Sequence, residues 1–562
     1  MEAKRWVSLV FLALILVGLS SSDFFYRDSD EQVQDISFIS DLKTTILGIF
    51  DGTWLSVEDA SATNEEVKPK HVILTPNLTT CHKSLSDADR PVYCCPPKRE
   101  SLEPIIDFKF PDISEPIRVR KPSHKVDADY IAKYNRAIAI MKSLPYNDPR
   151  NYMRQANMHC IYCTGAYNQQ NSNSLLKIHR SWMFFPWHRM MIYFHGHLIG
   201  DENFALPFWN WDSPEGMFIP DMYLNGSMID TQRDSSHLPP QVADINYDYF
   251  ERGLGPEDQI STNVAFLYNQ MVSGAKKTEL FMGCSYKSGE NGFCDGPGTI
   301  EVAPHNALHT WVGTFYSAAR DPIFYAHHAN IDRLWNVWNE LRGNKPAIED
   351  SDWLDSTFYI HNEKSQLVRI KIRDVLDSTK LRYAYENVEN VWLNARPKPS
   401  VPPKIARQVL KMRENQNPFL DHSNQAIRLD TTIRVKLHRP KTHISKIEKE
   451  QEEEIIVVYG IDISKDAYVK FDVYVNAVDE TIIGPESREF AGTFVNMKRG
   501  VRILLNKGDL VVKRKTTFKV GISELLEDLE ADGDETIWVT IVPRGGTGIN
   551  TTVDGVRIEY MK

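Results

Sequence analysis

Beyond Leu19 the chain has no apolar run approaching the roughly 20 residues that a membrane-spanning helix needs, so the mature protein is expected to be soluble and without a membrane partner. It also lacks an excess of positive charge. Its 65 Lys and Arg against 75 Asp and Glu leave a formal charge of -10, which argues against general nucleic-acid binding. Cysteine is scarce: seven in 562 residues, an odd count that excludes pairing of all of them with one another. There is no internal repeat. What the chain does have is 42% hydrophobic and 11% aromatic residues, which excludes a mostly disordered polymer. At roughly 100–200 residues per domain, its length suggests two to four domains. Histidine, at 17 copies, is the informative residue.

Residues 1–22 read as a secretory signal: Lys4 and Arg5 form the charged start, Val7–Leu19 is the apolar stretch, and Ser20 to Ser22 offer a small-residue cleavage site. The alternative is a buried N-terminal helix. Secretion permits disulfides and makes the sequons at Asn77, Asn225 and Asn550 candidate glycosylation sites. An extracellular or vacuolar destination follows. A plastid transit peptide does not fit Glu2 and the compact apolar core.

Residues 23–80 are polar and irregular. From Asp127, a reasonable N-cap, the spacing of Ile131, Tyr134, Ile138 and Met141 predicts a helix that Pro145 stops. Prolines at 397, 399, 402 and 403 mark a linker, taken as 396–425. Beyond it the apolar period drops to two, as at Phe471, Val473 and Val475 and at Ile537, Val539 and Ile541, which predicts a β-sandwich over 426–562. The charge run Lys446–Glu454 reads as a solvated loop or strand edge.

His305 and His309 are four apart, which on a helix places two imidazoles on one face, one turn apart, as a metal needs. Position 306 is Asn, where a zincin has the Glu that serves as its base, so metalloprotease chemistry is disfavoured. A lone pair of this kind is also met as two ordinary helix histidines. Further segments change the balance. His327 and His328 precede Asp332, which is four beyond His328 and so a candidate hydrogen-bonding support for it. Pro186 breaks the path from His179 to His188, so His179 can reach a shared centre from a loop while His188 rides a helix. His159 lies in an expected loop beside Cys160 and Cys163. His195, seven beyond His188, shares its helix face and is a competing ligand or a core residue; His197 is a second decoy. Several imidazoles without a thiolate or carboxylate at ligand spacing suit copper, zinc, iron or nickel.

Taken in order, Met158–Tyr167, His179–His188, Ile300–His309, Phe315–Trp335, Asp352-Trp-Leu354, Tyr383-Ala-Tyr385 and Lys470-Phe-Asp-Val473 resemble the motifs of plant polyphenol oxidases (catechol oxidase and tyrosinase), members of the type-3 copper superfamily. The resemblance spans roughly 81 to 562. It implies a mainly α catalytic domain over 81–395, with a four-helix bundle around a dicopper centre and the Asp-Trp-Leu region at about 350–395. The β-sandwich would follow as a covering domain. It also implies two copper ions per chain, held by His159, His179 and His188 and by His305, His309 and His328. Choosing His328 over His327 rests on the family pattern.

By the same resemblance Cys163 would join His179 in a thioether, and Cys81–Cys95 and Cys94–Cys160 would be disulfides. Cys284 and Cys294 remain and are a chemically sensible third bridge, or two free thiols. Glu301 would hold a water that Asn306 helps to activate, Phe315 would lie over the second copper, and Thr310 would meet the substrate ring. The interval from His309 to Phe315 is shorter than the family's pattern, which predicts a differently shaped entrance.

The implied activity is oxidation of o-diphenols to o-quinones by O2, with monophenol hydroxylation open, and activation by a protease cutting within 397–425. The rivals are an oxidase or hydroxylase specialised for one phenolic metabolite, a haemocyanin-like oxygen carrier, and a hydrolytic di-metal enzyme. Residues 426–562 could instead be a carbohydrate-binding module, although no aromatic platform stands out there.

Overall fold

The computed structural model describes residues 73–562 apart from 84–91, 98–103, 202, 248–250, 291–295, 313–315, 344–347, 417–425, 443, 464–467 and 498–514. The expected signal 1–22, most of the irregular segment 23–80, Cys294 and Phe315 lie outside the described residues. The described part belongs to one unit, His71–Lys562.

Asp127 caps helix α1 (Ala128–Ser143) by accepting from Tyr130 N at 2.8 Å, and the chain leaves the helix at Leu144, ahead of Pro145. Tyr134, Ile138 and Met141 are buried, so the face read from spacing is the face that packs. Helix α2 (Tyr152–Thr164) is capped by Asn151 and ends at Gly165, whose φ of 70° gives the left-handed turn that closes a helix. It corrects the loop expected around His159. Nearly every α2 side chain is buried, including Arg154, Gln155 and Asn157, so no amphipathic stripe announces the helix.

Helix α3 (Phe184–Leu198) begins two residues before Pro186, which sits in its first turn, where a proline costs no hydrogen bond. His179 therefore stays in a loop and His188 on the helix, although Pro186 itself is not the break. Helices α4 (Pro256–Tyr268), α5 (Asn306–Val312) and α6 (Ile323–Leu341) complete the part that surrounds the histidines. Strands β1 (Thr357–His361) and β2 (Leu367–Lys371) pair antiparallel behind α3.

The segment expected as a linker carries helix α7 (Pro403–Gln416), whose Ala406 and Leu410 are buried one turn apart. Arg407 donates to Glu530 O at 2.7 Å, so this helix lies against the sandwich. The sandwich has two antiparallel sheets. One has the order β6–β5–β8–β3, from β3 (Ile433–His438), β5 (Val469–Val475), β6 (Phe490–Asn496) and β8 (Thr536–Pro543). The other is built on β4 (Glu453–Ile463), flanked by β7 (Lys515–Gly521) and β9 (Gly555–Met561). Phe471, Val473 and Val475 with Ile537, Val539 and Ile541 make its core, as the alternation predicts. The charge run differs from expectation. Ser445 opens a short helix, Lys446–Gln451, with a capping box to Glu448, and Glu454 is buried against Arg439 at 2.8 Å.

The helical part and the sandwich interlock. Val302 packs into the sandwich core, while Tyr474, Phe490 and Val495 pack into the helical one. Around this contact run Arg252 to Glu486 at 2.9 Å, Tyr268 to Glu524 at 2.8 Å and Lys519 to Glu279 at 2.8 Å. Within Lys470-Phe-Asp-Val473 the charged pair is also buried. Burial would raise the Asp472 carboxyl, but Lys470 at 3.0 Å and Arg544 at 2.7 Å hold it down to about 2.

Candidate metal centre

Seven buried imidazoles converge in the helical core: His159 from α2, His179 from its loop, His188 from α3, His305 and His309 across the start of α5, and His327 and His328 from α6. They form two groups, His159, His179 and His188 with Cys163, and His305, His309, His327 and His328, each with its donor atoms within 4.8 Å of one another. The groups face each other. The His188 and His328 rings stack at 4.1 Å, His179 lies 5.4 Å from His305, and His159 lies 6.1 Å from His309.

Local hydrogen bonds settle which ring nitrogen points inward. His188 donates from Nδ1 to Phe184 O at 2.8 Å, His179 places Nδ1 3.0 Å from Glu301 Oε1, and His305 places Nδ1 3.1 Å from Asn306 Oδ1. An Nδ1–H spent on an oxygen leaves the Nε2 lone pair for a metal. His188 Nε2 and both nitrogens of His328 are buried with no hydrogen-bond partner among the described residues, an arrangement costly for a polar group unless a ligand satisfies it. The Nε2 atoms of His305 and His309 are 2.9 Å apart. Two nitrogens each about 2.0 Å from one ion, at roughly 90–110° to each other, stand about 2.8–3.3 Å apart. Burial first, then the neighbouring imidazoles, holds His188, His305 and His328 well below the ordinary histidine range. All three are neutral donors at neutral pH, and the set fits a pair of imidazole-bound ions.

His327 and His328 are separated by their surroundings. His328 stacks on His188 of the facing group, whereas His327 lies between Trp211 at 5.9 Å and the parallel ring of His305 at 5.7 Å. His195 is in neither group. It is buried against Tyr325, ring on ring at 3.5 Å, the core alternative to a ligand role. His197 donates from Nδ1 to Tyr193 O at 2.9 Å, also away from the centre.

Asp332 does not support His328 as its spacing suggested. Its carboxylate accepts from Tyr383 and Tyr385 at 2.6 Å each and pairs with Arg189, the residue after His188, with Arg120 3.6 Å away. Two tyrosines two apart on a strand share a face, which is why Tyr383 and Tyr385 reach one carboxylate. Asp332 thus ties α6 to α3 behind the ligands. Sequence reasoning missed this use of Arg189, and also Arg180 and Asn496; their partners are too distant along the chain for spacing to reveal.

Glu301 is fully buried, with Oε1 accepting from Arg180 N at 2.7 Å and facing His179. Asn306 is buried beside His305. Thr310 donates its hydroxyl to Ala307 O at 2.6 Å on α5. Cys163 is buried with Sγ 3.1 Å from His179 Nε2. Disulfides join Cys81 to Cys95 and Cys94 to Cys160. Cys284 is disulfide-bonded, and its expected partner Cys294 is outside the described residues. Asn225 and Asn550 are exposed; Asn77 is half-buried and accepts from Thr79 N at 3.1 Å.

Two facing groups of buried imidazoles, supported from behind by carboxylate, amide and main-chain oxygens, suit a coupled pair of metal ions. Comparison with known proteins agrees. Residues 149–341 match the common central domain of tyrosinase, 347–398 the polyphenol oxidase middle domain and 425–560 the chloroplastic polyphenol oxidase C-terminal domain. The chain is 42% identical over 513 residues to aureusidin synthase of Antirrhinum majus, covering 87% of this chain and 88% of that protein. It is 41% identical over 513 residues to the chloroplastic polyphenol oxidase of Vitis vinifera, covering 87% and 82%. It superimposes on the structure of latent apple tyrosinase with a TM-score of 0.72 at 39% identity, covering 82% of this chain and 100% of that one. The chain belongs to the plant polyphenol oxidase family: it is a copper-dependent oxidoreductase whose cofactor is a pair of copper ions, with a helical core followed by a β domain. Among the described residues no helix is long and apolar enough to cross a membrane.

Proposed function

We propose that this polyphenol oxidase both oxidises o-diphenols to o-quinones and hydroxylates monophenols, with His159, His179 and His188 holding one copper and His305, His309 and His328 the other. The observation that carries the reading is the pair of facing imidazole groups, with buried Glu301 and Asn306 each set against a ligand of a different group. When bound, the copper pair supplies two-electron reduction of O2. The chain's own residues exclude water, fix ring orientation and handle the phenol proton. A phenol titrates near 10, so at neutral pH a monophenol needs an acceptor. The Glu301 carboxylate and the Asn306 amide oxygen are the groups placed to orient a water for that purpose. Cys163 Sγ lies against the His179 ring, where a thioether to a ring carbon would stiffen that ligand.

Latency is part of the proposal. Strand β6 lies against Glu301–His305, so the sandwich limits access until a protease cuts within 397–425. Arg396 and Arg407 bond to the sandwich and Ala406 and Leu410 are buried, so this stretch of the expected linker is held against the domain that cleavage would release. The compartment has two supports in opposition: the apolar start at Val7–Leu19 for secretion, the relatives named chloroplastic for a plastid. A glycan on exposed Asn225 or Asn550 of the plant-made protein would decide for secretion, and a processed, glycan-free chain in plastids against it.

The test is oxygen uptake by the copper-loaded, linker-cleaved protein with a monophenol and its o-diphenol side by side. Uptake with both, after a lag on the monophenol, is expected. Uptake with the diphenol alone would remove the hydroxylase half. The relative named aureusidin synthase, and the short interval from His309 to Phe315, favour as second reading a narrow phenolic substrate. Silence with both simple phenols while two coppers are bound would select it.

A further inference from the structure

The sandwich touches the residue that follows a histidine in each half of the site. Asn306, after His305, donates its amide nitrogen to the main-chain oxygen of Val495 at 2.9 Å. That end of an amide can only donate, so the bond turns the other end, Oδ1, toward His305 Nδ1. Arg180, after His179, donates its guanidinium to Asn496 Oδ1. Its main-chain N–H meets the same Glu301 oxygen that faces His179. Asn306, Arg180, Val495 and Asn496 are all buried, and Arg180 has a φ of 66°, a left-handed conformation unusual for a residue with a side chain. Val495 and Asn496 end β6, which among the described residues is an edge strand of its sheet, and Val495 O on the side away from β5 meets the helical part.

We propose that Val495 and Asn496 are positioning residues of the metal centre. They hold Asn306 and Arg180 so that His305 and His179 keep Nδ1 engaged outward and Nε2 turned to copper. The sandwich then does more than obstruct the entrance: it sets the orientation of a ligand in each half, and its departure changes the centre it leaves. This rests on the dicopper reading above.

The test uses the full-length, copper-loaded protein and compares wild type, Asn496→Leu, Asn496→Asp and Glu486→Gln. Leucine removes the acceptor for Arg180, aspartate keeps one, and Glu486→Gln weakens the distant pair with Arg252. The readouts are the rate at which a chelator extracts copper and the visible absorption and circular dichroism of the Cu(II) form. Asn496→Leu is expected to lose copper about tenfold faster, the lower end of what an outer partner of a metal ligand contributes, with shifted Cu(II) bands. Asn496→Asp should stay within about twofold of wild type, as should Glu486→Gln. Equal copper loss and identical bands in Asn496→Leu and wild type would overturn the proposal. Equal change in Asn496→Asp and Asn496→Leu would also overturn it, because an acceptor for Arg180 would then make no difference. If Asn496→Leu fails to fold, Asn496→Ala replaces it, with the same expected loss and the same refutation. A wild type that binds no copper pair overturns the dicopper reading itself. A wild type that binds two coppers and oxidises catechol, with a silent Asn496→Leu, overturns only this inference.

Discussion

Replacing His195 by phenylalanine should make the protein more resistant to acid. His195 is fully buried on α3, stacked on Tyr325 at 3.5 Å and 10°, with neither ring nitrogen hydrogen-bonded among the described residues. Burial alone pushes its pKa down to about 3. An unfolded histidine titrates near 6.5, so below that pH the unfolded chain takes up a proton that the folded protein refuses. The depressed folded value means that the full stability is present above pH 6.5 and drains away as pH falls toward 3. Between about pH 7.5 and 4.5 this one residue should remove about 2.7 kcal/mol, two units at about 1.36 kcal/mol each. Phenylalanine keeps a flat ring against Tyr325 and has nothing to protonate. The assay is urea unfolding of wild type and His195→Phe at both pH values. The difference between the two proteins cancels the other histidines, and the variant should gain about 2.7 kcal/mol relative to wild type on acidification. Parallel losses in the two proteins would refute the claim that His195 is held neutral by burial.

Replacing both Cys94 and Cys160 by serine opens a bridge that closes a separation of 66 residues beneath His159; chain entropy makes this cost about 4 kcal/mol, read as a lowered unfolding midpoint. His309→Ala should lower copper content from two ions to one per folded chain, measured by metal analysis, since His305 loses the partner 2.9 Å away. Arg252→Ala removes both bonds to Glu486 and leaves that carboxylate without its cation, weakening the seating of the sandwich by about 1–3 kcal/mol. Oxygen uptake with catechol by the uncleaved protein should therefore rise; uptake equal to wild type would show that this ion pair does not contribute to latency.

Several elements were legible in the residues because their cause is local. Asp127 caps a helix whose apolar spacing shows its buried face, and alternation at Phe471–Val475 and Ile537–Ile541 marks strands with one side in a core. The His305–His309 spacing already placed two imidazoles on one face. Other elements have no local cause. Helix α2 is buried on nearly every side, so periodicity gave no sign of it and His159 looked like a loop residue. The Lys446–Glu454 run hides a capped helix followed by two buried glutamates, because Arg439 and Ser523 supply partners the run itself does not name.

By itself, the sequence determined the histidine-rich helical domain, the β domain after it and the family to which the motifs point, since composition, spacing and motif order are properties of the chain. Only the tertiary structure decided which nitrogen of His179, His188 and His305 is engaged by an oxygen, that His328 rather than His327 stacks toward the other group, and that Asp332 braces Arg189 and two tyrosines. It alone brought Val495 and Asn496 to residues beside the ligands. Those outcomes depend on hydrogen bonds and ring contacts between segments as much as three hundred residues apart, such as the bond from Arg180 to Asn496, at a separation of 316. Such contacts form only when the helices and the sandwich have packed, and no spacing within a segment encodes them.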